Sequence, residues 1–272
     1  VSPLRIITAT VRRNIRVAMR YLPNLVGSLT EMGVRALFFL LLANSISMRG
    51  MNSSGIEFSG HDLYVFLLGS LSLFVFTRST LNGPINAVNN DLYNGTLEYL
   101  YSGPGSRYAY YVGVVISEVL ISMVVFIPLF ILLVIVSGVS LLNLGMMLLA
   151  CLGVLISLTA MGIMIGLLAL VWKQVGSVAS LLGILFEMIA GAYLPLSVFP
   201  RAIQYVAYLL PFTWGYDLLR YYSFSEQQWQ PILPIWQEWA VVGLFAVTFT
   251  LASRFLLGKA ERLAKQQGLH IL

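Results

Sequence analysis

The sequence predicts an all-α polytopic membrane protein: six transmembrane helices, an N-terminal amphipathic interfacial helix, and short re-entrant helices before the last span. Three observations carry this expectation. Of 272 residues, 58% are hydrophobic and 10% are charged, against roughly 25% charged in soluble domains. Several apolar runs reach the roughly 20 residues that a helix needs to cross a bilayer. Lys and Arg are unevenly divided among the segments between those runs. A water-soluble chain of this length could not bury so much apolar surface. The placement of the net charge of +5 therefore points to membrane orientation and lipids as partners rather than nucleic acid.

The elements follow in order. Residues 3–22 carry five Arg and no acid, interspersed with Ile6, Ile7, Val11, Ile15, Val17, Ala18 and Met19. That pattern predicts a basic amphipathic helix on the membrane surface within 1–24, and Pro23 stops it. Six spans are expected at 26–47, 62–82, 109–136, 143–171, 177–195 and 235–257. Asn82, Gly83 and Pro84 should end the second. Pro128 should kink the third, because it removes a backbone hydrogen bond and crowds the preceding turn. Gly138-Val139-Ser140 should turn the third into the fourth as a tight hairpin. Residues 195–234 are apolar, aromatic and broken by Pro195, Pro200, Pro211, Pro231 and Pro234. Two short helices dipping back into the outer leaflet fit that stretch, with Ala202–Leu210 helical. Tyr205, Tyr208, Trp214, Tyr216, Tyr221, Tyr222 and Trp229 suit headgroup depth. Together these elements form one transmembrane domain over 1–272.

Orientation follows from the basic residues. With the N-terminus in the cytoplasm and six spans, twelve Lys and Arg fall inside, while Arg49, Arg201 and Arg220 fall outside. This is a strong positive-inside bias. Both termini are then cytoplasmic, and 83–108 is a cytoplasmic loop. Within it, Asn94-Gly95 is a turn or helix-start signal. Thr96 can cap a short helix through Leu97-Glu98-Tyr99-Leu100-Tyr101, and Gly103-Pro104-Gly105 stops it. Leu97, Leu100 and Tyr101 would share one face, a shape suited to a partner's groove or to a simple capped turn.

Ionisable residues within spans are expensive and narrow the candidates for function. Glu31 and Arg35 are four apart, share a helix face and can pair. Glu118 in span three and Glu187 in span five should face protein or water; they could bind a cation, relay protons or hydrogen-bond across helices. Gly162 and Gly166, and Ala179 with Gly183, allow close helix packing. Cys151 is a packing residue. No GxxxxGK[ST], HExxH or GxSxG occurs, and His61 and His270 cannot furnish a multi-histidine metal site, so no catalytic or metal-binding constellation assembles.

Gly95-Thr96-Leu97-Glu98 after the second span, ending at Gly103-Pro104, resembles the GTLE-type segment of type-2 ATP-binding-cassette exporter permeases. The likeness extends to the basic interfacial helix and the six-span layout. It also takes in Leu194-Pro195-Leu196-Ser197 with Phe199-Pro200, Leu210-Pro211-Phe212-Thr213, and Asp217-Leu218-Leu219-Arg220 before the final span. The resemblance implies a transport subunit in the plasma membrane that is not itself an enzyme. Its loop after span two would dock on a separate ATPase subunit, which binds ATP and Mg, and a second permease copy or homologue would complete the exporter. Asp91, Tyr93, Gly95, Thr96, Leu97, Glu98, Leu100 and Tyr101 become the coupling candidates. Family members often carry several charges before GTLE. Here Asn89–Asn94 reads NNDLYN, so Tyr and Leu packing should dominate the dock. Glu31, Arg35, Glu118 and Glu187 become candidates for the pathway, and Phe199, Tyr205, Tyr208, Phe212, Trp214 and Tyr216 for an extracytoplasmic gate. The apolar spans suit a hydrophobic or amphipathic cargo such as a drug or lipid. A lipid-linked glycan is the alternative, through aromatic stacking; a partner-free ion-coupled carrier or channel would instead depend on Glu118 and Glu187.

Overall fold

The computed structural model describes residues 2–45, 59–93, 95, 106–171, 176–224 and 229–266. The expected coupling helix 96–101 and most of the polar loop 48–60 lie outside the described residues. Among the described residues the chain is all-helical: α1 Pro3–Arg20, α2 Leu22–Ser45, α3 Gly60–Tyr93, α4 Arg107–Ser137, α5 Leu141–Val171, α6 Gly176–Ile189, α7 Arg201–Tyr208, α8 Pro211–Ser223 and α9 Ile235–Gln266. A single 3₁₀ turn, Leu196–Val198, precedes α7.

Local chemistry sets several of these boundaries. Pro3 opens α1, where a missing N–H is harmless. Pro23 falls in the first turn of α2, so α1 and α2 break at Tyr21. The Ser106 hydroxyl caps α4 by accepting from the Ala109 amide at 3.3 Å. Gly138, in the left-handed region at φ 63°, ends α4 and donates to the Val134 carbonyl at 3.0 Å. The expected α4–α5 hairpin follows directly.

Helix α3 is the axis of the bundle. It packs against α2, α4, α5, α6 and α8, while α1 lies along α4 and α9 along α5. The outward faces of α2 and α9 are apolar, with Leu37, Phe38, Leu41, Leu244, Val247 and Leu251 exposed. In water such faces would be untenable; in hydrocarbon they incur no penalty. Among the described residues five helices, α2, α3, α4, α5 and α9, are long and apolar enough to cross a membrane.

Three expectations need correction. The second long helix does not end at Asn82-Gly83-Pro84; it runs through Pro84 to Tyr93. Pro84 deprives the Thr80 carbonyl of its helical donor. That carbonyl packs onto Gly162 of α5, so closely that any Cβ at residue 162 would overlap it. Burial of Ile85 and Val88 beyond the proline holds the helix together. Second, α6 ends at Ile189, not at 195. Its 14 residues rise about 21 Å, short of the roughly 30 Å hydrocarbon core. Third, Trp214, Tyr216, Tyr222 and Trp229 are core residues, as is Phe212 beside them, and not a belt facing the headgroups. They belong to or pack around α8, which is buried continuously from Pro211 to Arg220.

Helix α8 lies inside the bundle along α5. Gly215 abuts Val154, and Ser223 reaches Met147 (Oγ–Sδ 3.9 Å), about two turns nearer the α4–α5 hairpin. Helix α8 thus rises toward that hairpin. Helix α6 rises the same way along α3, from Gly183 beside Leu81 to Gly191 and Ala192 beside the level of Ser70. The Thr213 hydroxyl donates to the Ala207 carbonyl at 2.6 Å, and the Trp214 indole to Tyr208 at 3.0 Å. These bonds clamp the α7–α8 corner.

Candidate functional site

The long helices leave a cleft between α2, α3 and α4. It comprises two adjoining cavities of about 900 and 630 Å³. Both are lined by Leu25 and Ser28 of α2, Gly83 and Asn86 of α3, and Glu118 and Ile121 of α4. One cavity extends toward α6, where Leu181 and Ile184 close it. The other extends toward Arg13 and Asn14 of α1 and toward Asp91. A volume of this size matches that of drug-sized ligands.

Glu118 lies on this cleft opposite a glycine of α3. A Cβ at residue 83 would stand 2.6 Å from Glu118 Cγ, so Gly83 makes the space in which the glutamate lies. Glu31 and Arg35 pair as expected, at 3.1 Å. The sequence did not reveal their third member: Arg78 Nη1 from α3 donates to both Glu31 oxygens at 2.9 Å. The Arg35 guanidinium lies over the Phe74 ring, 5.2 Å from its centroid. This three-residue ion cluster joins α2 to α3 at the rim of the cleft. Glu187 does not reach the cleft. It is 3% exposed and accepts from the Tyr193 hydroxyl at 3.1 Å.

Two coupling candidates face opposite ways at the end of α3. Tyr93 is 92% exposed, and Gly95 turns with φ 66°. Asp91 is buried and accepts from the Tyr110 hydroxyl of α4. The same hydroxyl accepts from Arg13 Nη2 at 3.4 Å, and Asn14 Nδ2 donates to Ser117 Oγ at 2.7 Å. Helix α1 approaches α4 closely because Gly113 has no side chain to strike Thr10. The base of α3 is thus tied through Tyr110 to the N-terminal helix. Removing that hydroxyl in Tyr110→Phe should cost about 1–3 kcal/mol, since a buried carboxylate loses a donor. Thermal unfolding of the purified chain in detergent measures it, and an unchanged midpoint would show that the tie carries no stability. Thr96, Leu97, Glu98, Leu100 and Tyr101 lie outside the described residues.

The six gate candidates do not converge. Tyr205 is 67% exposed, Phe199 and Tyr208 are half-buried, and Phe212, Trp214 and Tyr216 are core. At their place stands a cluster that sequence reasoning missed. Arg220, expected in an outer loop, is 4% exposed. Its Nη2 donates to Ser70 Oγ (2.7 Å) and to the Gly191 (2.8 Å) and Ala192 (3.1 Å) carbonyls. Its guanidinium stacks over Phe66, 3.5 Å from the centroid. One turn away, Asp217 accepts from Trp229 Nε1 (2.9 Å) and the Ile232 amide (2.8 Å). The signal that could have shown it is the opposite charges of Asp217 and Arg220, three residues apart among aromatics.

Among the described residues nothing in this arrangement assembles a nucleophile, a base and an electrophile. It offers a cleft of mixed polarity, lined by Glu118 and Asp91, several amides and aliphatic side chains. A comparison with curated proteins returns no match. The family model of the ABC-2 type transporter matches residues 6–224, which takes in α1 through α8 and both cavities. With most of its length so matched, the chain belongs to the ABC-2 type transporter family, as a permease subunit that crosses the membrane in an ABC transporter.

Proposed function

We propose that this chain is the membrane-spanning half of an ATP-driven exporter that moves a hydrophobic or amphipathic substrate, a drug or a lipid, out of the cytoplasm. The observation that carries this reading is the drug-sized cleft within a chain of this family. A separate ATPase subunit docks on the loop between α3 and α4 and binds the ATP and Mg. A second permease copy or homologue completes the pathway. Closure of the nucleotide-loaded ATPases pushes these loops and changes the relative stability of inward- and outward-facing states.

The chain crosses six times in this reading, in the plasma membrane with both termini cytoplasmic. Helices α2, α3, α4, α5 and α9 make five crossings. The remaining crossing is the one expected at 177–195, which begins with α6. Helices α7 and α8 belong to the re-entrant region before the last span, and α1 lies at the interface. Tyr93 and Gly95 deliver the chain to the dock, Leu97, Leu100 and Tyr101 pack there, and Thr96 and Glu98 supply hydrogen bonds. Asp91 braces α3 from behind. The burial of Trp214 and Tyr216 leaves them no face on which to stack a sugar, so the glycan alternative keeps only Tyr205 and Tyr208 for that contact.

The test is the purified complex. Leu97→Ala with Glu98→Ala should abolish copurification of the ATPase and ATP-driven efflux from cells, while the chain remains in the membrane. Undiminished copurification would reject this dock.

A further inference from the structure

The cleft has a chemical sign. Its ionisable walls differ in how far their charge is already used. Arg78 is held by both oxygens of Glu31, which Arg35 also reaches, so this rim cluster sets two cations against one carboxylate. Arg13 donates to Asn14 Oδ1 at 3.1 Å and to Tyr110, and lies over the Tyr110 ring. Asp91 is engaged by Tyr110. Glu118 lines both cavities at their junction, and among the described residues it has no hydrogen bond and no ion pair. A carboxylate inside a membrane bundle ordinarily finds a partner or a water-filled space. Here it is offered to an open volume instead.

The surroundings of Glu118 fall into two kinds. On the α6 side the wall is aliphatic: Met32, Val75, Val125, Leu181 and Ile184. Around the carboxylate it is polar, with Ser28 and Asn86 shared by both cavities. Asn86 lies three residues beyond Gly83, on the α3 face that meets Glu118, and its side chain is exposed. Such a site rewards a molecule with a positive centre and a bulky apolar body. An anion would meet an uncompensated carboxylate, and a neutral apolar molecule would leave that carboxylate desolvated without a counter-charge.

We propose that the cleft binds an amphipathic cation, with its positive centre at Glu118, beside the Asn86 amide, and its apolar body against the Met32–Val75–Ile184 wall. This rests on reading the chain as a permease for amphipathic cargo, and it narrows that cargo by charge.

The experiment uses the full chain in nanodiscs of zwitterionic phospholipid and two probes of the same shape and opposite charge, tetraphenylphosphonium and tetraphenylborate. Equilibrium dialysis against empty nanodiscs corrects for partition into lipid. The expected result is saturable phosphonium binding and no saturable borate binding. Glu118→Gln should weaken the phosphonium about tenfold or more, because one charge partner in a low-dielectric cleft is lost, and Glu118→Asp should recover part of it. Equal binding of both probes, or phosphonium binding unchanged in Glu118→Gln, overturns the proposal. Should Glu118→Gln not fold, the preference of the native chain between the two probes decides by itself. ATPase copurification is scored on the same samples. Its loss would fault the permease reading, whereas retained copurification with charge-blind binding would fault only this one.

Discussion

Arg220→Ala is expected to cost about 3–5 kcal/mol of stability, the range for removing one member of a buried charged network. The guanidinium donates to three acceptors and lies over the Phe66 ring, with the Tyr216 and Trp229 rings 5.5 Å away. Without it, the Gly191 and Ala192 carbonyls just past α6 lose their donor in a place that water does not reach. Asp217, one turn away, keeps its Trp229 and Ile232 donors but loses the nearest buried cation. Arg220→Lys should recover only part of the loss. An ammonium on a flexible stem cannot stack flat over Phe66 while spreading donors to Ser70 and two carbonyls. Chemical unfolding in mixed micelles, with the folded fraction read by size exclusion, gives the number. A loss below about 1 kcal/mol for Arg220→Ala would mean that the cluster is ornamental to the fold. Because Arg220 joins the end of α6 to α8 and α3, the same variant should also lose transport wherever any folded protein survives.

Gly162→Ala is the second large effect, about 2–3 kcal/mol, toward the upper end of overpacking costs. The added Cβ meets backbone, the Thr80 carbonyl, so no side chain can rotate away. Helices α3 and α5 would have to separate at the point where Pro84 has left that carbonyl free of its helical bond. Gly145→Ala in the same helix is the control. Nothing lies within 4 Å of that added carbon, so the change should be neutral or slightly favourable, as better helix propensity predicts. Equal stability of the two variants would refute the close α3–α5 crossing. Gly162 belongs to the GxxxG pair noted in the sequence. The structure assigns that glycine to a contact within the chain, against α3.

What was legible in the sequence was what local chemistry decides. The amphipathic Arg pattern marked α1, and Pro23 marked its break from α2. Gly138 marked a turn because a left-handed residue there is easy only for glycine. Apolar runs marked the long helices, since a segment that meets hydrocarbon must bond its own backbone. Glu31 and Arg35 could be paired on paper because four residues bring two side chains onto one helix face.

The rest depended on neighbours far along the chain. Pro84 reads as a stop, and it would be one if the Thr80 carbonyl had nowhere to go; Gly162, on another helix, gives it somewhere. Arg220 reads as a loop charge, because charge counting assumes that a cation between spans meets water. Here Phe66, Ser70 and the end of α6 meet it instead. Asp91 reads as surface beside a docking loop, yet Tyr110 holds it inward. Likewise Glu118 is one acid in an apolar run until Gly83 opens the wall opposite it. By itself the sequence determined the membrane class, the helical periods and the family, because these follow from backbone hydrogen bonding and the spacing of side chains along one chain. Only the tertiary structure decided which charges are spent and which remains open, because compensation of a buried charge is a contact between helices, and no local spacing records it.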